Sequence, residues 1–270
     1  MALPPPSSES TCVVTGASSG IGAEIARVLA GRGRGVTLVA RRASRLELLA
    51  EQLRTLGVRV EVLVADLVDP DDRAGLHGRV TELGLTPDVL VNNAGGSTTG
   101  PVHASDPESE VRMVRLDVEA VVDLTSRFLP GMVERGGGGV LNVASTAAFQ
   151  PMPGQAGYAA SKAFVLSYSE AVAGELRGTG VDVTTLCPGP VETEFGDAAG
   201  FTHQESSGAL PAFMWEDAAD VAEAAVAGLE KGRLVVIPGA ANRIGSIAAQ
   251  LTPRTLLLPI LSRQHPAMKR

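Results

Sequence analysis

The chain has 270 residues, 44% of them hydrophobic but only 3% aromatic, and a formal net charge of −7. That length suits one large α/β domain whose core is filled by Ala, Val and Leu, and the acidic balance argues against a nucleic-acid surface. Residues 1–10, MALPPPSSES, have neither the basic flank nor the apolar stretch of a signal peptide; they read as a disordered lead-in, and a cytoplasmic protein is expected.

After the lead-in, apolar β-branched runs alternate with helical segments. Strands are predicted over 11–15, 36–40, 58–65, 89–92, 140–144, 181–187 and 234–237, and helices over 21–30, 44–56, 70–83, 107–135, 158–177 and 217–231. Apolar strands interleaved with helices imply parallel pairing with both sheet faces covered. Right-handed crossovers then give a single doubly wound α/β domain, a seven-stranded parallel sheet with helices on both faces and a ligand crevice at the carboxyl ends of its strands. Cys12 and Cys187 fall on predicted strands and read as reduced core residues. No metal site is expected.

The first strand runs into Thr15-Gly16-Ala17-Ser18-Ser19-Gly20-Ile21-Gly22, and an alanine- and leucine-rich helix leaves it. A strand, a glycine-rich turn and a helix form the context that a dinucleotide fingerprint requires. Gly16 permits the tight turn, Gly20 lets backbone approach a pyrophosphate, and Gly22 lets the helix pack closely on the strand. The first-turn amides, near Ser18, Ser19 and Ile21, then face phosphate.

Arg41 and Arg42 follow the second strand, and Ala40 stands where NAD-preferring enzymes usually carry a carboxylate. Guanidinium groups suit a 2′-phosphate, so NADP is expected and NAD is the lesser expectation. The plainer reading is two solvated arginines on a helix face that also carries Arg45. Asp66 ends the third strand and reads equally as a ligand contact or a turn cap. Asn92-Asn93-Ala94-Gly95 closes the fourth strand with residues small enough for backbone to approach a ribose, although any turn favours them.

Ser145 ends the fifth strand, and Tyr158 and Lys162 stand one helical turn apart, so the phenol and the ammonium share a face. A fixed positive charge lowers the pKa of a tyrosine from its usual value of about 10, and such a phenol can exchange a proton with a substrate oxygen. Alone, each of these residues has an ordinary structural explanation. Pro188-Gly189-Pro190-Val191-Glu192-Thr193 follows the sixth strand.

In this order and at this spacing the motifs resemble the short-chain dehydrogenase/reductase family, its NADP-preferring type, over residues 11–239. The resemblance implies a Rossmann-like fold and a carbonyl/alcohol oxidoreductase in which the nicotinamide carries the hydride. It gives Ser145 the substrate carbonyl, Tyr158 the proton, and Lys162 both the tuning of Tyr158 and the nicotinamide ribose. It places Asp66 and Leu67 at the adenine, Asn93, Ala94 and Gly95 at the adenosine ribose, and Thr193 with the Val191 backbone at the carboxamide. Pro188 and Gly189 would fix that loop. One position departs from the family: Asp117 stands where an asparagine is expected to kink the long helix and hold a water reaching the lysine. An aspartate can hydrogen-bond backbone as an asparagine does and so keep that relay; if buried, its carboxylate should oppose phenolate formation, and the plainer reading is an exposed aspartate with no role.

The expected function is NADP(H)-dependent interconversion of a carbonyl and an alcohol on a small, fairly hydrophobic substrate; the alternative is a non-catalytic NADP-binding sensor or scaffold. Residues 194–215, with Phe195, Phe201, Leu210, Phe213, Met214 and Trp215, are expected to form a lid. A homodimer or homotetramer is expected from the helices at 107–135 and 158–177, the second offering Ala159, Ala163, Ala171 and Gly174 for close approach. Residues 240–270 form an apolar and basic extension, broken at Pro253 and Pro259 and ending in Arg263, His265, Lys269 and Arg270. Packing on the body or a sister subunit is its expected role, ahead of contact with a membrane surface.

Overall fold

The computed structural model describes residues 3–198, 211–264 and 268. Seven strands form one sheet: β1 (Ser10–Thr15), β2 (Val36–Ala40), β3 (Val60–Val64), β4 (Thr86–Asn92), β5 (Gly138–Val143), β6 (Val181–Leu186) and β7 (Val235–Val236). The order is β3-β2-β1-β4-β5-β6-β7 and every neighbouring pair is parallel. The winding reverses between β1 and β4, which puts the crevice of an open α/β sheet at their carboxyl ends. The glycine-rich turn leaves one of these strands and Asn92-Asn93 the other.

Among the described residues the α-helices are α1 (Gly20–Gly31), α2 (Ala43–Arg54), α3 (Pro70–Glu82), α4 (Pro107–Val114), α5 (Ala120–Glu134), α6 (Ala156–Glu175), the short α7 (Glu194–Ala198), α8 (Ala218–Glu230), α9 (Ala240–Leu251) and α10 (Arg254–Gln264). Side chains alternate across the sheet. Cys12, Val14, Leu38, Val91 and Leu141 join one buried cluster with residues of α1, α2 and α8. Their neighbours Val13, Val39, Leu90 and Val140 join a second cluster with residues of α3, α5 and α6. Burial on both faces explains why the strands read as continuous apolar runs.

A buried polar ladder ties the two halves of the crevice together. Asn92 donates to Asn142 at 2.9 Å and to Thr125 at 3.1 Å, and Asn142 donates to Ser169 at 2.8 Å. Such side chains are costly to bury unless satisfied, so the ladder fixes β4, β5, α5 and α6 against one another. The ends of β5 and α6, which carry Ser145 and Tyr158, are thereby held in register.

Several details differ from the expected elements. Leu3, in the segment expected to be disordered, is buried against the face of Gly139, where a Cβ would come within 2.7 Å of it. Bare glycine backbone provides the socket; β5 starts at Gly138 rather than 140, and β4 at Thr86 rather than 89. The long helix expected over 107–135 is interrupted by a π-helical turn at Arg115–Glu119, joining α4 to α5. β7 is only two residues long.

Candidate active site

The glycine-rich turn is shaped by steric demand. Gly16 and Gly20 have φ of +65° and +57°, a region that side chains disfavour. A Cβ on Gly22 would stand 2.3 Å from Asn93 Nδ2 and 2.6 Å from the Gly16 carbonyl. Asn93 uses that space to donate to the Thr15 carbonyl at 2.9 Å, while the Thr15 hydroxyl accepts from the Asn93 and Ala94 amides at 2.9 and 3.0 Å. Asn93 and Ala94 therefore stitch β4 to the turn. Ser19 precedes α1 in an extended conformation and provides no side-chain cap, and the first turn of α1 holds no acidic residue. Asp69, Asp106 and Asp217 cap α3, α4 and α8, whereas α2, α6 and α9 lack a side-chain cap as α1 does; α1 alone of these follows the Gly16–Gly20 turn. An uncapped amide turn with a permissive backbone fits a phosphate group.

Basic side chains gather beside this turn. Arg42 donates to Ser18 Oγ at 3.0 and 2.8 Å and to Ser19 Oγ at 2.6 Å. It also donates to Glu194 at 2.8 Å, and Arg45 donates to both oxygens of the same carboxylate at 2.5 and 2.6 Å. Arg45 and Arg42 together hold the Glu194 carboxyl at about 2. Arg41 is exposed next to them. Asp66 accepts from the Val68 amide at 3.1 Å and from Arg112 at 2.8 Å, so its carboxylate serves as a turn cap and ion-pair partner. Burial opposes its ionisation, but the Val68 amide and Arg112 outweigh that and depress its pKa. Leu67 lies in the core, and its carbonyl accepts from the buried Arg73 at 2.8 Å.

At the other end of the crevice stand Ser145, Tyr158, Lys162 and Asp117. Ser145 caps a 3-10 turn at Thr146–Phe149, accepting from the Ala147 amide at 3.1 Å, and its hydroxyl also meets the Tyr158 phenol. Lys162 is buried; its Nζ lies 5.6 Å from the centre of the Tyr158 ring and donates to the Val143 carbonyl at 3.3 Å. Asp117, inside the π-helical turn, is completely buried, accepts from the Gly96 amide at 2.7 Å and approaches Lys162 Nζ at 3.1 Å. Gly95 lies close over this pair: a Cβ would come 3.2 Å from Lys162 Nζ and 3.3 Å from Asp117, a tight fit that would press on both. The carboxylate meets the lysine directly, and the π turn aims it there.

Burial and pairing compete in this cluster. Burial raises the Asp117 pKa, although Lys162 and the Gly96 amide pull it down. For Lys162, burial works against the cation, but Asp117 prevails and the pKa is raised. Tyr158 differs from expectation: burial raises its pKa, and Lys162 and Ser145 offset that only in part. Cys187 packs nearby, its thiol pushed up to about 12 by burial, and it is an inert core residue like Cys12.

The loop after β6 closes the cleft. The Pro188 carbonyl accepts from the Thr146 amide at 2.9 Å, Gly189 packs on the buried Asn242, and Val191 bridges to Glu216. Asn242, at the start of α9, donates to the Met214 carbonyl at 3.0 Å, and Arg254 reaches the Phe149 carbonyl at 3.3 Å. The extension after 239 thus supports the site loop. Thr193 stands over Gly20, within 3.2 Å of where a Cβ would lie, and the Phe195 ring centre is 5.7 Å from that of Tyr158. Phe201 and Leu210 of the expected lid lie outside the described residues, as do His265, Lys269 and Arg270.

The short chain dehydrogenase family model matches residues 10–202. The chain belongs to the short-chain dehydrogenase family. It is 38% identical over 192 residues to the very-long-chain 3-oxoacyl-CoA reductase of Anas platyrhynchos, covering 67% of this chain and 60% of that protein's length. Among solved structures, it is similar to a short-chain dehydrogenase from Sphingobium yanoikuyae in complex with NADPH, at 34% identity and TM-score 0.79, covering 93% of this chain and 95% of that one. It is also similar to a variant actinorhodin polyketide ketoreductase with NADPH, at 30% identity and TM-score 0.78, covering 88% of this chain and 99% of the other. Of the short-chain dehydrogenase site residues expected from sequence, Ser145, Tyr158, Lys162 and Asp117 come together at one end of the cleft. Glu194, Arg45 and Asn242 were not among the expected residues.

Proposed function

We propose that this short-chain dehydrogenase is an NADP(H)-dependent oxidoreductase that interconverts a carbonyl and an alcohol on a small, fairly hydrophobic substrate. The observation that carries the reading is the Ser145–Tyr158–Lys162 cluster, with Ser145 and Tyr158 half-buried at the cleft, the Phe195 ring 5.7 Å from that of Tyr158, and Lys162 and Asp117 buried beneath them. Ser145 donates a hydrogen bond to the carbonyl oxygen where negative charge develops. Tyr158, whose raised pKa keeps the phenol protonated at neutral pH, gives its proton to that oxygen and recovers it in the opposite direction. Lys162 stabilises the phenolate left behind, and Asp117 keeps Lys162 charged. A bound nicotinamide would supply the hydride. The uncapped turn before α1 favours a phosphate-bearing cofactor, and Arg41 and Arg42, with Ala40 in place of an acid, favour the 2′-phosphate of NADP over NAD. Relatives whose names include an acyl-CoA and a ketoacyl reductase support an acyl or aliphatic ketone as substrate class.

NADPH oxidation against ketones and aldehydes, repeated with Tyr158→Phe, tests the reading. Loss of about 10²–10⁴-fold in rate is expected; unchanged turnover in that variant would remove Tyr158 from the chemistry and favour a nucleotide sensor. We further infer a homodimer or homotetramer. Ala163, Phe164, Ala171 and Gly174 of α6 and Val111 of α4 face outward, which suits self-complementary contact; Ala159 is instead core. A monomer mass by light scattering at micromolar concentration would count against it. A cytoplasmic location remains part of this proposal, and no helix among the described residues is long and apolar enough to cross a membrane.

A further inference from the structure

Glu194 joins parts of the molecule that the chain keeps far apart. Its carboxylate lies between Arg42 and Arg45, at 2.8 Å from the first and 2.5 and 2.6 Å from the second, and Arg42 in turn grips Ser18 and Ser19. The residue before it covers Gly20, where the uncapped amides of α1 begin, and the ring of the residue after it lies tilted against Tyr158 at 5.7 Å between centres. Residues 193–195 therefore form a strap across the cleft, fastened at the rim by one carboxylate. A hollow of about 290 Å³ lies beside the Arg45 guanidinium, lined by Ser18, Ser19, Gly20, Arg27 and Arg45 and also by Glu24, and leaves room for a ligand there. Glu194 resembles a phosphate in what it offers these arginines: anionic oxygens accepting from paired guanidinium donors.

We propose that Glu194 competes with the 2′-phosphate of NADP(H) for Arg42 and Arg45, fastening the 193–195 strap over the glycine-rich turn until a ligand bearing that phosphate releases it. The inference rests on the NADP reading above and goes beyond it by assigning an internal competitor to the cofactor site. A cofactor with only hydroxyls on its adenosine ribose has no group to exchange for the carboxylate and leaves the strap fastened. The competitor remains ionised throughout the neutral range, because its pKa is held at about 2. Selectivity for the phosphate is thus set by Glu194 as well as by the arginines, and Glu194→Gln, which keeps the shape but not the charge, weakens the competition.

The test uses adenosine 2′,5′-bisphosphate, which carries the 2′-phosphate without a nicotinamide, and adenosine 5′-monophosphate as its partner lacking it. Binding to the wild-type and Glu194→Gln proteins is measured calorimetrically at fixed salt, with hydrogen exchange of residues 191–198 as a second readout. The variant is expected to bind the bisphosphate about three- to tenfold more tightly and the monophosphate unchanged. In the wild type, the bisphosphate but not the monophosphate should speed exchange in the strap. If the wild type prefers the bisphosphate but Glu194→Gln binds it equally or more weakly, the competition is refuted and the NADP reading stands. If neither protein distinguishes the two ligands, both are overturned.

Discussion

Asp117 and Glu194 are both carboxylates held by basic side chains, one at the floor of the cleft and the other at its rim. Asp117 is fully buried beside a single ammonium, and burial raises its pKa despite that partner. Glu194, with 49% of its side chain exposed, sits between two guanidiniums and is held at about 2. The same kind of pairing thus has opposite consequences. In the interior, desolvation sets the scale and each partner depends on the other for its charge. At the rim, water solvates both partners, so the pairs are individually weak and can be exchanged for another anion. The first setting suits a permanent charge and the second a releasable fastening.

The largest expected effect comes from breaking the interior pair. Lys162→Met leaves Asp117 buried without a counter-charge, which should cost about 3–5 kcal/mol of stability, read as a fall in the denaturation midpoint. The carboxyl pKa is raised further in that variant, so the penalty is absent below the unfolded value of about 4 and grows as pH rises through the folded one. Adding Asp117→Asn should restore much of the loss. Arg45→Met, at the rim, should change stability by less than about 1 kcal/mol. Equal losses at both places would erase the distinction between floor and rim.

The cofactor end offers a sharper comparison within the rim itself. Arg42→Ala should weaken NADPH binding by about 1–3 kcal/mol, and NADH binding far less. Arg41→Ala should do so more mildly, since Arg42 has the contacts with Ser18, Ser19 and Glu194. Equal weakening of both cofactors would reduce these arginines to helix surface.

The smallest effect is on acid response. A depressed pKa contributes stability that is present above the unfolded carboxylate value of about 4.3 and is lost as pH falls toward the folded value. The Glu194 pairs should therefore hold through mildly acidic solution and give way only well below it. The difference in bisphosphate affinity between the wild-type and Glu194→Gln proteins should be flat from about pH 7 upward, where the 2′-phosphate is fully ionised; a slope there would mean that a protein group other than Glu194 titrates in the cluster.

How far the sequence could anticipate these two regions follows from how local their contacts are. The strands could be read because burial on both faces leaves uninterrupted apolar runs. Tyr158 and Lys162 could be read because they lie on one helix, and Gly16, Gly20 and Gly22 because each belongs to one short turn. Glu194 could not, since its partners stand 152 and 149 residues away in the chain. Nor could Asn242, whose neighbour Gly189 is on the loop after β6. The family resemblance puts a kink at 117, but its π-helical form leaves no mark, since apolar residues continue through 114–121 with no proline or glycine. Leu3 was masked by the prolines and serines that follow it, while the glycines receiving it gave no apolar signal. Tyr158 was anticipated in position and not in pKa, because spacing reveals a neighbouring charge but not the depth of burial.

The central claim is that Asp117 acts as an ionised carboxylate on the Lys162–Tyr158 pair, and the pH dependence of turnover in Asp117→Asn tests it most directly. Removing that charge should lower the pKa of Tyr158 and weaken the hold of Lys162 on its proton. In the reductive direction the alkaline fall in kcat should then begin at lower pH than in the wild type, and in the oxidative direction the rise should also begin at lower pH. An alkaline limb that stays in place in both directions would contradict the claim, whatever happens to the rate.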